Sequence, residues 1–498
     1  MIGICRNVFS YRAIGTILTL TALLMMSACA PKLPMRIGPQ TKVMATDAEI
    51  ELGRAVHPEI LNQFGRYDDE VLQGYVQRIG EQLVLANFGA ERIFRFTVLD
   101  SDDVNAFSIP GGYIYITRGL LALLNSEPEL AAILAHEIAH VTERHAAHHL
   151  SETELGENQL VVGSVVIHSV QSQAAVDLFK TMGTTLLDGY EPEEEIDASL
   201  LSATFLAAAG YNPVTVGSVR AFLRRHAEFD RQLAIEENRR PHVYHGVGHI
   251  DFELEKQLHD ATSKIKFKER TSDAIENLDR FFNSIDGLIW GDSAQQGLIV
   301  GRQLLNAELG IALTAPDGWR VYNQNSRVLW LPASHDAYLE LDVHELKAHV
   351  NPQDFTRNGL ALQEITDGAV FSPNGLSGYT AVAKLRTPYG YQRGRVYVIF
   401  ANERAFVLQS AGRTETVRAF YNDQLWAAVS SFRVLTPDEK SKVRPRKVKV
   451  VVVDKGATFE SLVQKSTLGS RVREQLRLIN QLYPTGQLRP GQRVKLVE

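Results

Sequence analysis

Residues 134–140 read Leu134-Ala135-His136-Glu137-Ile138-Ala139-His140. A spacing of four puts His136 and His140 on one face of a helix, one turn apart. Two imidazoles so placed can grip one zinc ion. Glu137, beside the first histidine, then stands within reach of a zinc-bound water as its general base. The flanking residues favour a helix here. Ser126-Glu127-Pro128-Glu129 is a capping box with proline near the first turn. Leu130, Ile133, Leu134, Ile138 and Val141 supply a buried face. A glutamate between two histidines on such a helix is costly to bury without a metal or partner.

Catalytic zinc usually takes three protein ligands and a water. The chain has two cysteines, Cys5 and Cys29, both within the first thirty residues, so any further ligand in the folded body is His, Asp or Glu. Downstream lies Gly189-Tyr190-Glu191-Pro192-Glu193-Glu194-Glu195-Ile196-Asp197-Ala198-Ser199, then a helical run to Ala209-Gly210-Tyr211-Asn212-Pro213. A carboxylate in the first turn of that helix can reach the metal. Composition does not choose among Glu191, Glu193, Glu194 and Glu195, because the helix dipole favours carboxylates in a first turn anyway. Upstream, Gly111-Gly112 marks a turn and Tyr113-Ile114-Tyr115-Ile116-Thr117 reads as a strand. His145, His148 and His149 follow the motif and read as helix-surface residues.

The stretch 105–150 carries Asn105-Ala106-Phe107, Pro110-Gly111-Gly112-Tyr113, Thr117-Arg118-Gly119-Leu120 and the histidine helix. It resembles peptidase family M48, the zinc metalloendopeptidases of the BepA, LoiP and HtpX type. The resemblance runs over about residues 45–225. It implies a mainly helical zincin fold, one zinc per chain, and hydrolysis of peptide bonds. It also implies a third ligand in a Glu-x-x-x-Asp pattern. Counted back from Ala209-Gly210-Tyr211, that ligand is Glu195 and the Asp position is Ser199, a departure. Glu193 with Asp197 fits the same pattern after a two-residue shift. Asn105, Ala106 and Phe107 resemble the edge-strand triplet that binds substrate backbone in zinc peptidases such as thermolysin, where an extended peptide adds by main-chain hydrogen bonds. Tyr244-His245-Gly246-Val247 resembles a segment followed in relatives by a His-Pro and an Arg, both missing here. His245, His249 or Asp251 stand where a plug or transition-state residue is expected, and the bland alternative is an ordinary loop.

The N-terminus reads as an address. Arg6 and Arg12 precede an uncharged stretch, 13–26, too short for a comfortable membrane span. It ends in Met26-Ser27-Ala28-Cys29, which resembles a bacterial lipobox and implies diacylglycerol on the Cys29 thiol. The expectation is a signal peptide over 1–28, a tether over 29–44, and a periplasmic protein anchored to the inner leaflet of the outer membrane. Residues 45–64 and 68–86 have helical apolar spacing, and 159–170 reads as a buried or groove-lining helix.

Over 498 residues, 45% apolar and 22% charged, composition is that of globular domains and excludes collagen, coiled coil or wholesale disorder. A net charge of -6 argues against a generic nucleic-acid binder. The expected organisation is α+β and multidomain. A peptidase domain over 45–286 contains a small edge-strand sheet. An α+β accessory domain, 287–435, has a turn at Asp317-Gly318-Trp319, an alternating strand around Leu339, Leu341 and Val343, and a hairpin at Asn402-Glu403. A polar linker, 436–447, leads to a strand–helix–helix–strand block, 448–498. Asn480 and Pro490-Gly491-Gln492 make that block resemble a LysM module, which implies binding to peptidoglycan. Residues 441–498 carry 13 Lys or Arg against 4 Asp or Glu, which suits docking to an anionic surface.

The leading expectation is therefore a periplasmic zinc endopeptidase. His136, His140 and Glu195 hold the metal, and misfolded or stalled envelope proteins are the substrates. Partners are those clients, peptidoglycan through 448–498 and the membrane through Cys29, with no nucleic acid. The alternative is a peptidase-like scaffold or chaperone that cleaves little. Ser199 and the missing His-Pro favour it, while the intact Glu137 opposes it. A cell-wall amidase using the same zinc is a third reading.

Overall fold

The structure is a computed structural model. It describes residues 47–90, 93–145, 192–237, 239, 241–242, 252–268, 274–323, 325, 327–346, 350–387 and 389–498. The expected signal peptide, the tether with Cys29, the 159–170 segment, and Glu191, His148, His149, His245, His249 and Asp251 lie outside the described residues.

Helices α1 (Asp47–Phe64) and α2 (Glu70–Phe88) occupy the two stretches of helical spacing. Asp69 caps α2 by accepting from the Leu72 N–H. A three-stranded sheet follows, formed by β1 (Arg95–Leu99), β2 (Ala106–Ile109) and β3 (Tyr113–Thr117) in the order β1-β3-β2. Gly111 and Gly112 turn the chain between β2 and β3 at φ of 85° and 82°, a conformation open to glycine. All five β3 residues are buried, and β2 forms an outer edge.

After the short α3 (Arg118–Leu123) comes α4 (Glu127–Thr142), which carries the two motif histidines. Ser126 caps α4 by accepting from the Glu129 N–H, with Pro128 in the first turn. Leu130, Leu134 and Ile138 drive its apolar face into the main core. Helices α5 (Pro192–Ala208) and α6 (Thr215–Glu236) pack against α4, and α7 (Phe252–Thr262) and α8 (Ala274–Ile285) complete this part.

β4 (Ile289–Trp290) leads into two antiparallel sheets. The smaller contains β5 (Leu298–Val300), β6 (Gln303–Asn306) and β7 (Ile311–Thr314). The larger has seven strands: β8 (Arg320–Asn323), β9 (Val328–Leu331), β10 (Ala337–Glu345), β11 (Gln363–Phe371), β12 (Ser377–Thr387), β13 (Gly390–Ala401) and β14 (Arg404–Gly412). The β13–β14 turn is Asn402-Glu403, both at positive φ, as a tight hairpin requires. Helix α9 (Glu415–Ser430) closes a core shared by both sheets through Leu425 and Val429. β15 (Arg433–Val434) returns to pair with β7.

Two expectations change beyond this point. Residues 436–447 are not a featureless linker. Helix α10 (Pro437–Lys442) starts in a reciprocal capping box between Thr436 and Glu439, and β16 (Arg446–Val452) begins within the expected linker. The block that follows is indeed strand–helix–helix–strand: α11 (Phe459–Val463), α12 (Val472–Ile479) and β17 (Arg493–Val497), with β17 antiparallel to β16. It is not a free basic tail. β16 also pairs with β4, and Leu476, Ile479, Val494 and Leu496 share one core with Leu130 and Leu134 of α4. Lys495 is fully buried, its Nζ donating to the carbonyls of Ala122, Leu123 and Leu124 at 2.8–2.9 Å. Residues 43–498 make one compact unit. Among the described residues, no helix is long and apolar enough to cross a membrane.

Candidate metal centre

Packing of α5 across α4 brings three side chains together. His136 Nε2 and His140 Nε2 lie 3.0 Å apart. Glu195 Oε2 is 3.3 Å from His136 Nε2, and Oε1 is 3.7 Å from His140 Nε2. These three residues offer ligand atoms within 4.8 Å of one another. Glu195 points inward, whereas Glu193 and Asp197 are exposed and Glu194 is half-buried. The first turn of α5 therefore selects its ligand by packing.

The electrostatics suit a metal. Burial, then the adjacent His136, keep His140 well below the usual imidazole range, so it is neutral with a lone pair to offer. Burial works against charge on Glu195, but His136, Arg220 and His140 outweigh it and hold Glu195 well below the usual carboxylate range. Two imidazole nitrogens and one ionised carboxylate, converging in a buried space, are a donor set for zinc.

Glu137 is buried beside this trio. Burial and the Glu195 charge push it up to about 8, while a hydrogen bond with Ser108 on β2 opposes them. Ser108 was not singled out in the sequence, since nothing in a strand pattern marks a buried serine as facing a helix.

His145 departs from the surface position expected of it. It is 6% exposed, and its Nδ1 lies 2.8 Å from His140 Nδ1. If His140 offers Nε2 to a metal, its Nδ1 carries the proton and donates to His145. Helical spacing failed here because α4 ends at Thr142 and Arg144, at φ 61°, turns the chain back. Arg144 Nε donates to Glu49 of α1 at 2.9 Å, which pins that turn.

Of the expected edge triplet, Ala106 opens β2. Phe107 is buried against Tyr115, with ring centroids 4.9 Å apart. Asn105 is buried with its backbone N–H and carbonyl engaged by Thr117, and its side-chain Oδ1 has no partner among the described residues. Ser199 is buried one turn beyond Glu195, and its Oγ accepts from Arg220 Nη1 at 3.3 Å.

This geometry agrees with the comparison of sequences. Residues 70–246 match peptidase family M48. They form an M48 peptidase domain. The M48 domain is of a zinc metallopeptidase type, and its His136, His140 and Glu195 are positioned to bind the metal. Over 176 residues the chain is 28% identical to the beta-barrel assembly-enhancing protease of Yersinia pestis, a match covering 33% of this chain and 35% of that protein. The beta-barrel assembly-enhancing protease of Escherichia coli (strain K12) is 25% identical over 171 residues, 33% of this chain and 35% of that protein. The mitochondrial metalloendopeptidase OMA1 of Arabidopsis thaliana is 32% identical over 118 residues, 23% of each chain. The chain thus matches 35% of the length of each of the two bacterial relatives.

Proposed function

We propose that this protein is a zinc-dependent endopeptidase of the bacterial periplasm, acting on misfolded or stalled envelope proteins. The observation that carries this reading is the convergence of His136, His140 and Glu195 with Glu137 buried beside them. The names of the bacterial relatives support envelope proteins as the substrate class. The lipobox-like sequence supports attachment to the outer membrane through Cys29, and the LysM-like pattern supports contact with peptidoglycan through 448–498.

His136, His140 and Glu195 would hold the zinc, which supplies Lewis-acid polarisation of the scissile carbonyl and of the attacking water. Glu137 takes a proton from that water and delivers it to the leaving amine nitrogen. Ser108 fixes the Glu137 carboxylate, and His145 fixes the His140 ring. Along the Asn105-Ala106-Phe107 triplet, the outer edge of β2 receives an extended substrate through the main-chain groups that face away from β3, those of Asn105 being engaged by Thr117. Recognition through main chain implies modest sequence preference and a need for unfolded clients.

The test is cleavage of casein by the purified chain, with zinc measured on the same sample and Glu137→Gln as control. We expect cleavage in the wild type, loss of at least ~100-fold in the variant as for removal of a general base, and zinc retained in both. Zinc without cleavage in the wild type would point to a plugged site or one activated on demand, and neither zinc nor cleavage would leave the scaffold reading. Muropeptide release from purified cell wall would favour an amidase instead.

A further inference from the structure

Arg220 lies on α6 and reaches the ligand shell from outside the motif. Its side chain is 11% exposed. Its Nη1 donates to Glu195 Oε2 at 3.1 Å and to Ser199 Oγ at 3.3 Å. Glu195 and Ser199 stand one turn apart on α5, so one guanidinium nitrogen spans both. A charge-assisted bond engages Oε2, which lies 3.3 Å from His136 Nε2, while Oε1 lies on the His140 side, 3.7 Å from its Nε2.

We propose that Arg220 is a positioning residue that makes Glu195 a one-oxygen metal ligand, and that a residue without a carboxylate at 199 is what permits it. The inference rests on the metallopeptidase reading and concerns how the shell is held. A carboxylate free to rotate can offer both oxygens to a metal and fill the position that water and the substrate carbonyl need. A guanidinium on one oxygen fixes the rotation and keeps that position open. A hydroxyl at 199 accepts from Arg220 without competing with Glu195 for its charge. A carboxylate there would compete, because guanidinium pairs with carboxylate more strongly than with hydroxyl. The departure at Ser199 and the approach of Arg220 thus belong to one arrangement.

The experiment replaces zinc by cobalt in the full chain and reads the visible absorption. Four-coordinate cobalt absorbs more intensely than five-coordinate cobalt, so the band intensity reports whether Glu195 binds through one oxygen or two. The wild type is expected to give the intense, four-coordinate spectrum. Arg220→Gln is expected to lower the intensity several-fold as the second oxygen binds. Ser199→Ala keeps the Arg220–Glu195 bond and the wild-type spectrum. Ser199→Asp draws the guanidinium away and reproduces the Arg220→Gln spectrum with the arginine still present. This variant also decides the matter if Arg220→Gln does not fold, as judged by circular dichroism. Spectra of Arg220→Gln and Ser199→Asp that match the wild type would overturn the proposal. A wild type that binds neither zinc nor cobalt would overturn the metallopeptidase reading itself.

Discussion

At the scale of single residues, the site divides into what spacing reveals and what only packing reveals. His136, Glu137 and His140 are legible because a helical period of 3.6 fixes which side chains share a face. Glu195 is not legible from spacing alone, because four glutamates crowd one helix start; the family pattern counted back from Ala209-Gly210-Tyr211 points to it, and of Glu193, Glu194 and Glu195 it is the buried one. His145 is hidden for another reason, since the chain leaves the helix at Thr142 and returns the ring to His140 from outside the period. His145→Ala is expected to lower zinc affinity by ~10–100-fold, the usual cost of losing a group that orients a ligand. Competition with a chromophoric chelator measures this, and unchanged affinity would reduce His145 to packing. A second residue makes a pH prediction. Burial alone would lower His242, but Asp230, 2.9 Å from its Nδ1, and Asp102, 3.7 Å from its Nε2, outweigh burial and hold it up to about 10. Arg239 shares Asp230, and buried His226 nearby is kept neutral, down to about 3. The folded chain therefore keeps on His242 a proton that the unfolded chain gives up above 6.5. Stability from this group is complete below 6.5 and is lost as pH rises toward 10. Urea midpoints taken from pH 6 to pH 9.5 are expected to fall less in His242→Gln than in the wild type.

At the scale of elements, strands and turns were read more surely than composition-based boundaries. The β3 strand, the Gly111-Gly112 turn and the Asn402-Glu403 hairpin follow from β-branched runs and residues that tolerate positive φ. The stretch 436–447 was misread because its polar, basic composition outweighed a capping box, Thr436-Pro437-Asp438-Glu439, that stood in the sequence and starts a helix. Two glycines show how tightly the elements around the site approach. A Cβ on Gly119 of α3 would sit 2.2 Å from the Asp102 carbonyl oxygen and 2.5 Å from that of Asp103, both backbone. A Cβ on Gly80 of α2 would sit 2.3 Å from the Phe96 ring, a side chain. Backbone cannot yield as a ring can. Gly119→Ala is therefore expected to cost about 3 kcal/mol, near the upper end of overpacking effects. Gly80→Ala should cost clearly less, helped by the helix preference of alanine. Equal losses in urea unfolding would contradict this account.

At the scale of the whole molecule, the surplus of positive charge over 441–498 suggested docking to an anionic surface, but not all of that charge is at the surface. Charge counting treats every lysine as solvated, yet Lys495 lies in the core and satisfies three carbonyls at the end of α3, just before the helix that bears His136 and His140. Burial pulls its ammonium down to about 7, and the Glu129 carboxylate pulls it back. Gln481, from the same block, donates to Glu129 at 3.0 Å. The last strand and helix thus brace the start of the metal-binding helix as well as filling its core. Replacing Lys495 by Met would leave three carbonyls without a buried donor, at a cost of about 3 kcal/mol. Deleting 448–498 would do more, since it strips Leu476, Ile479, Val494 and Leu496 from the core that also holds Leu130 and Leu134. A chain ending at residue 447 is therefore expected to lose its cooperative urea transition and its bound zinc together. If that chain instead unfolds cooperatively and keeps its zinc, the C-terminal block is an appendage and the shared core contributes little to the metal centre.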